Sequence, residues 1–179
     1  LYARRQRQMC IRDRYSNPEW VASDLIGQAE HDNLAQCILI SKDKKLLEKV
    51  KIELIKQLKK IPRVSVARKS LNSNGILMYV NSDKKIIEIV NKIAPEHLEL
   101  NIQNYKSYVS KIRNAGSICL GKYAVMAMTD YNVGSNHVLP TNGSAKYSSG
   151  ISVNEFYKRI SYINLSKKGI ESLGPSVIT

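Results

Sequence analysis

No apolar run in this 179-residue sequence approaches the ~20 residues needed to cross a bilayer, and the first residues lack the apolar block of a secretory signal. These absences point to a soluble, cytoplasmic protein with no membrane partner. Cysteine is scarce. Cys10, Cys37 and Cys119 form no C-x-x-C pair and are odd in number, which argues against a disulfide framework or a cysteine-rich zinc centre and leaves them as buried or incidental thiols. Histidine occurs three times, and there is no internal repeat or low-complexity tract. What remains is a 43% hydrophobic chain of a length suited to one ordinary domain, or one domain with an appendage, and large enough to bury a core.

Carboxylates are outnumbered, 15 against 28 basic side chains, and the formal net charge of +13 raises nucleic acid as a partner. The placement of the charge weakens that reading. Five of the nine arginines fall in residues 1–14, LYARRQRQMCIRDR, whereas the first lysine is Lys42. So abrupt a switch in usage marks a junction, and residues 1–14 are expected to be a foreign, assembly-derived or disordered basic segment outside the fold. A basic RNA-binding arm is the rival reading. A non-catalytic nucleic-acid-binding domain would be expected to show interleaved aromatics, an RNP-like motif or a recognition-helix pattern, and none is present. The later lysines fall at helical spacing beside Ile and Leu, as solvated helix faces do.

Asn17-Pro18-Glu19 combines a capping residue, a proline suited to the first helical position and an acid at the positive end of the dipole, and predicts a helix over 18–30. Trp20, Val21, Leu25 and Ile26 define its inward side. Periodicity then predicts a strand over 36–41 and an amphipathic helix over 43–60, with Leu46, Leu47, Val50, Leu54, Ile55 and Leu58 inward. A short helix over 66–71, a turn at 72–75, a strand over 76–80, a helix over 83–93, a strand over 98–102, a short helix over 105–112 and a buried strand over 117–120 follow. This alternation predicts an α/β domain, a three-layer, mainly parallel sheet with helices on its faces, over 15–150. Residues 151–179 are expected to form a helical extension. One of its helices would run over 152–163 with a capping box from Ser152 to Glu155, and a second over 166–178, interrupted at Gly174-Pro175.

Chemistry-bearing residues concentrate in three places. The stretch 121–150, GKYAVMAMTDYNVGSNHVLPTNGSAKYSSG, spends glycine and proline on a path of turns and holds His137 and Asp130, the only acid between Asn101 and Asn154. Gln28 and His31, three apart, leave one face at a helix end and can grip one metal ion, although that spacing alone is more often an ordinary surface pair. Glu96-His97, on a turn constrained by Pro95, suits general acid/base work, with a capping Glu and a surface His as the plainer alternative.

The stretches NPEWVASDLIGQAEHD, NKIAPEHLEL, NAGSICLG, DYNVGSNHVLPTNGSAKYSSG and FYKRISYINLS, in this order from about Ser16 to Thr179, resemble histidinol dehydrogenase. These zinc- and NAD-dependent enzymes oxidise L-histidinol to L-histidine through L-histidinaldehyde, in the last steps of histidine biosynthesis. The resemblance implies part of an incomplete Rossmann-like domain. It implies that Gln28, His31 and Asp130 ligate one zinc ion per subunit, that Glu96 and His97 are the acid/base pair, and that Gln28, His31, His97, Asp130 and His137 contact the substrate. A fourth zinc ligand, a histidine supplied by the partner subunit of a homodimer, would lie past the end of this chain. The domain that supplies most NAD contacts would precede Asn17, so no cofactor-binding residue is assigned. Thr129 stands where the family commonly has glycine and Val125 where it has proline, changes expected to shift the loop without removing a ligand. On this reading the chain is a fragment, truncated at both ends and inactive alone.

Overall fold

The computed structural model describes residues 6–131, 133 and 136–178, except for the side chains of Asp130 and Tyr131. Among the described residues five strands, β1 (Arg7–Arg12), β2 (Gln36–Ser41), β3 (Ile76–Tyr79), β4 (His97–Asn101) and β5 (Ser117–Leu120), form one sheet of order β3-β2-β1-β4-β5. Every pairing is parallel. This is the strand order of a doubly wound fold without its sixth strand, and the sheet is open, with β3 and β5 at its edges. The α/β reading therefore holds.

One expectation is corrected at the centre of the sheet. The segment 1–14, read as foreign or disordered, was expected to lie outside the fold; of its described residues Arg7–Arg12 form β1, which pairs with β2 on one side and β4 on the other and is buried from Gln8 to Arg12, so that strand is not disordered. Arginine usage argued for a junction but carries no information about pairing, which is set by backbone hydrogen bonds and by burial of Met9, Cys10 and Ile11.

Strand alternation sorts the core into two layers. Cys10, Cys37 and Leu39 face α1 (Pro18–Ala29), α2 (Lys44–Leu58) and α3 (Val64–Asn74), and pack with Val21, Leu25, Val50 and Leu54. Met9, Ile11, Ile38, Ile40, Leu98 and Leu100 face the other way, toward α4 (Asp83–Ile93) and α5 (Lys106–Val109), and pack with Ile86, Val90 and Tyr108. All three cysteines are buried, and burial pushes the Cys37 thiol up to about 12.

Local capping explains the helix starts: the side chains of Asn17, Asp43 and Ser82 accept backbone N–H bonds from the first turns of α1, α2 and α4. α3 is longer than expected, running through the predicted turn to Asn74, with Gly75 following it. Two side chains read as inward are exposed: Ile55, which lines a groove beside α3, and Trp20, which lies under the Lys122 ammonium at 5.4 Å from the ring centre. Across the sheet the Tyr108 hydroxyl donates to Asp83, which also pairs with Lys42. The bonds from Lys42 and Tyr108 hold the Asp83 carboxyl below its ordinary range.

The stretch after Gly121 is not only turns, since it contains a short helix, α6 (Met126–Tyr131). The helix expected over 152–163 is reduced to a single 3-10 turn, Val153–Phe156, and Ser152 makes no side-chain cap. Phe156, Tyr157, Ile160, Tyr162 and Ile163 are all exposed, so no face is buried that would offset the cost of helix nucleation. The next helix, α7 (Lys167–Leu173), is capped by Ser166 and gives way to a 3-10 turn at Gly174–Ser176. Among the described residues no helix is long and apolar enough to cross a membrane.

Beneath α1 lies a buried charged cluster. The Arg12 guanidinium pairs with Asp24 at 2.7 Å and with the Glu99 carboxylate, which also accepts from Gln8 at 3.2 Å. Glu99 further accepts the Met126 backbone N–H at 3.2 Å and so fixes the start of α6. Two carboxylates share one guanidinium. Burial and the neighbouring Glu99 raise the Asp24 carboxyl from 3.8 to about 7, against the opposing pull of Arg12. A carboxyl raised in the folded state lends stability that is complete below its unfolded value and is lost as pH rises through about 7. Urea unfolding is therefore expected to give a higher midpoint at pH 5 than at pH 8, and Asp24→Asn should flatten that slope.

Candidate active site at the amino edge of the sheet

The predicted residues are carried to one edge of the sheet by the way its helices return. α1 runs antiparallel to the strands, so its last turn, with Gln28, lies at the amino ends of β1 and β2. Gln28 is 2% exposed, and its amide nitrogen donates to the Gln6 side-chain oxygen at 3.0 Å. That bond turns the amide carbonyl, the end able to ligate a cation, away from Gln6. His31 lies just beyond α1, where its backbone N–H still bonds the Gln28 carbonyl at 3.2 Å. Its side chain is exposed.

Glu96 and His97 reach the same edge from α4. This helix ends on Ala94 in the left-handed conformation, φ 51° and ψ 66°, with its N–H bonded to Val90. The chain then turns through Pro95 and enters β4 at His97. Three backbone bonds hold the turn: Glu96 N–H to the Arg7 carbonyl at 3.1 Å, Gly116 N–H to Pro95 at 3.0 Å, and Ser117 N–H to Glu96 at 2.9 Å. Glu96 is 3% exposed and His97 6%, which removes the reading of a capping Glu beside a surface His. Leu98 and Leu100 face the α4 layer, so alternation aims the His97 ring into the α1 layer, the one that ends on Gln28.

The loop after α6 rests on this edge. Pro140 is buried against Gly116, and Gly143 lies beside the Ile93 carbonyl at the end of α4. Upstream, the Ile151 N–H bonds Val138 at 3.1 Å and the Asn136 amide bonds the Ile151 carbonyl, which closes the base of the loop. His137, within that clasp, is exposed. The Asp130 side chain lies outside the described residues. Gln28, Glu96 and His97 thus share one buried edge, with His31 on its solvent side.

Among the described residues no group of three or more His, Cys, Asp and Glu side chains is placed to hold a metal ion. Of the predicted ligand set only His31 is both of those types and described. The set itself, an amide oxygen, an imidazole and a carboxylate, matches the oxygen and nitrogen donors that zinc accepts. A groove of about 520 Å³ between α2, α3 and β3 is lined by Leu54, Ile55, Leu71 and Leu77 and by none of the predicted residues.

The family model for histidinol dehydrogenase matches residues 8–179. The chain belongs to the histidinol dehydrogenase family. It is 79% identical over 167 residues to a histidinol dehydrogenase of Pelagibacter ubique, covering 93% of this chain and 39% of that protein. It is 44% identical over 160 residues to one of Listeria monocytogenes, covering 89% and 38%. A crystal structure of histidinol dehydrogenase from Elizabethkingia anophelis superposes with a TM-score of 0.86 at 39% identity, over 99% of this chain and 41% of that one. The chain therefore spans about two-fifths of the length of the histidinol dehydrogenases it matches.

Sequence reasoning missed Gln6, Glu99 and Ala94. Gln6 and Glu99 act through long-range partners and leave no local signal. The Ala94-Pro95 junction does carry one, because proline keeps the residue before it out of the right-handed helical region. A left-handed residue with a buried Cβ gives a stability test. Ala94→Val is expected to cost about 2 kcal/mol or more, because a β-branched side chain deepens a clash that already costs roughly 1–2 kcal/mol. Ala94→Gly should stay within about 1 kcal/mol of the starting protein in urea unfolding, since relief of the clash offsets loss of the buried methyl and added chain entropy.

Proposed function

We propose that this chain carries the metal and acid/base portion of an enzyme that oxidises L-histidinol to L-histidine with NAD, in four electrons through L-histidinaldehyde. The observation that carries the reading is the juxtaposition, at one edge, of the buried Glu96-His97 turn and the end of α1 that presents Gln28. Family membership supplies the substrate and the chemistry.

Gln28, His31 and Asp130 would hold the zinc ion, which when bound supplies a fixed cation that positions the imidazole and amino nitrogens of the substrate. His97 is the general base of the first oxidation: its ring takes the hydroxyl proton as hydride passes to NAD. Glu96 is the base of the second, taking one proton from the water that adds to the aldehyde; loss of a second hydride to NAD would leave the carboxylic acid, which gives up its proton to become the carboxylate. Burial of both residues keeps bulk water from competing with these transfers. His137 contacts the developing carboxylate. The enzyme works as a cytoplasmic homodimer whose partner subunit completes the zinc site with a histidine.

Three tests follow. In a full-length histidinol dehydrogenase whose matching stretch is replaced by residues 15–178 of this chain, His97→Asn should suppress NADH formation from histidinol. Glu96→Gln should chiefly slow NADH formation from histidinaldehyde, because only that half-reaction consumes water, and equal losses with both substrates would refute the division of roles. In the same protein Asp130→Ala should remove bound zinc, read by metal analysis, and activity together. The 179-residue chain alone should form no NADH from histidinol, because misplacing the hydride acceptor by even ~1 Å costs about a hundredfold.

A further inference from the structure

We propose that Gly116 is a positioning residue of this site: its bare Cα lets the Glu96-His97 turn and the loop that carries His137 rest on one another and so sets their spacing. The role rests on the acid/base assignment above. Gly116 donates its N–H to the Pro95 carbonyl at 3.0 Å, and Ser117 donates to Glu96 at 2.9 Å. A Cβ on Gly116 would stand 2.6 Å from the Glu96 carbonyl oxygen and 3.0 and 3.3 Å from Cδ and Cγ of Pro140.

Neither neighbour is a flexible side-chain end. One is the backbone of the acid/base residue, and the other is a buried proline ring three positions after His137. Gly116 is absent from the residues with positive φ, so the position demands space rather than a left-handed backbone. The loop touches the edge again at Gly143, where a Cβ would lie 3.4 Å from the Ile93 carbonyl, just before the strained Ala94. The loop therefore abuts both flanks of the turn, and at Gly116 no atom can be added without parting them. Admitting a methyl there would move turn and loop apart by roughly half an ångström or more, on the scale at which ~1 Å costs about a hundredfold in rate.

The test uses the full-length chimera described above, with zinc and NAD supplied. Gly116→Ala is expected to lower kcat for histidinol about 10- to 100-fold while KM changes less than about threefold. Adding Pro140→Ala gives the new methyl room on one side and should recover part of the loss. Gly75→Ala serves as a control for strain alone, since Gly75 lies just before β3, outside the site, and its Cβ would stand 2.4 Å from the Leu71 carbonyl of α3. It should lower the melting temperature and leave kcat within about threefold. A Gly116→Ala enzyme with unchanged kcat, or a Gly75→Ala enzyme that loses kcat equally, overturns the proposal and leaves the acid/base assignment standing. An unsubstituted chimera that does not oxidise histidinol overturns that assignment and the role of Gly116 with it. Should Gly116→Ala fail to fold, Pro140→Ala alone carries the test, because it opens the same contact without a clash. A fall in kcat of about tenfold supports the proposal, and a change below threefold overturns it.

Discussion

The parallel pairing of β1 with both of its neighbours is the constraint on which the rest depends. Without it the sheet separates into β3-β2 and β4-β5, two pairs with no shared ladder. The proposed functional groups divide along the same line: Gln28 and His31 belong to the β1-α1-β2 crossover, whereas Glu96 and His97 lie at the entry to β4. β1 and the residue before it hold the two sets in one frame, through Arg7, whose carbonyl accepts from Glu96, and through Gln6, which receives the Gln28 amide.

The proposed site lies at the end of the sheet opposite to the one doubly wound folds usually use. In such folds ligands gather beyond the carboxyl ends of the strands, where a glycine-rich turn and a helix amino terminus receive phosphate. Here the first turn, residues 12–18, has no glycine, and Asp83 on the carboxyl side is already engaged by Lys42 and Tyr108. The amino edge has the reverse electrostatics. α1 and α4 both end there, and the partial negative charge of their last carbonyls favours a metal cation or a protonated imidazole and disfavours phosphate. Helix polarity and donor set point to the same kind of ligand.

Much of this fold was legible because its cues are local. Asp43, Ser82 and the Asn17-Pro18 pair act within a few residues, β2 reads as a strand from its own apolar content, and β4 from its alternation. β1 was not legible, because the central strand of a parallel sheet should be a nearly continuous apolar run, whereas Gln8 and Arg12 face the α1 layer, where Glu99 pairs with both and Asp24 with Arg12. α6 was hidden for the same reason: its first N–H is bonded by Glu99, 27 residues earlier, amid glycine, proline and asparagine that signal turns. Within the site, Pro95 made the Glu96-His97 turn visible, but the burial of His97 and the direction of its ring follow from register. Glycine in NAGSICLG shows only that a side chain is missing, and the carbonyl and the ring that require this come from residues 96 and 140.

The chain contains a single tryptophan, and its placement decides what intrinsic fluorescence can observe. Trp20 sits in the first turns of α1, 46% exposed beneath Lys122, at the carboxyl side of the sheet. Its emission reports the seat of α1 against the segment after β5, and the nearby ammonium makes it responsive to salt and to modification of that lysine. Ligands arriving at the amino edge meet no indole, so they would be optically silent at this wavelength unless α1 itself shifts. A change in Trp20 emission on adding metal or substrate would therefore register motion of the whole helix, transmitted along its length from Gln28.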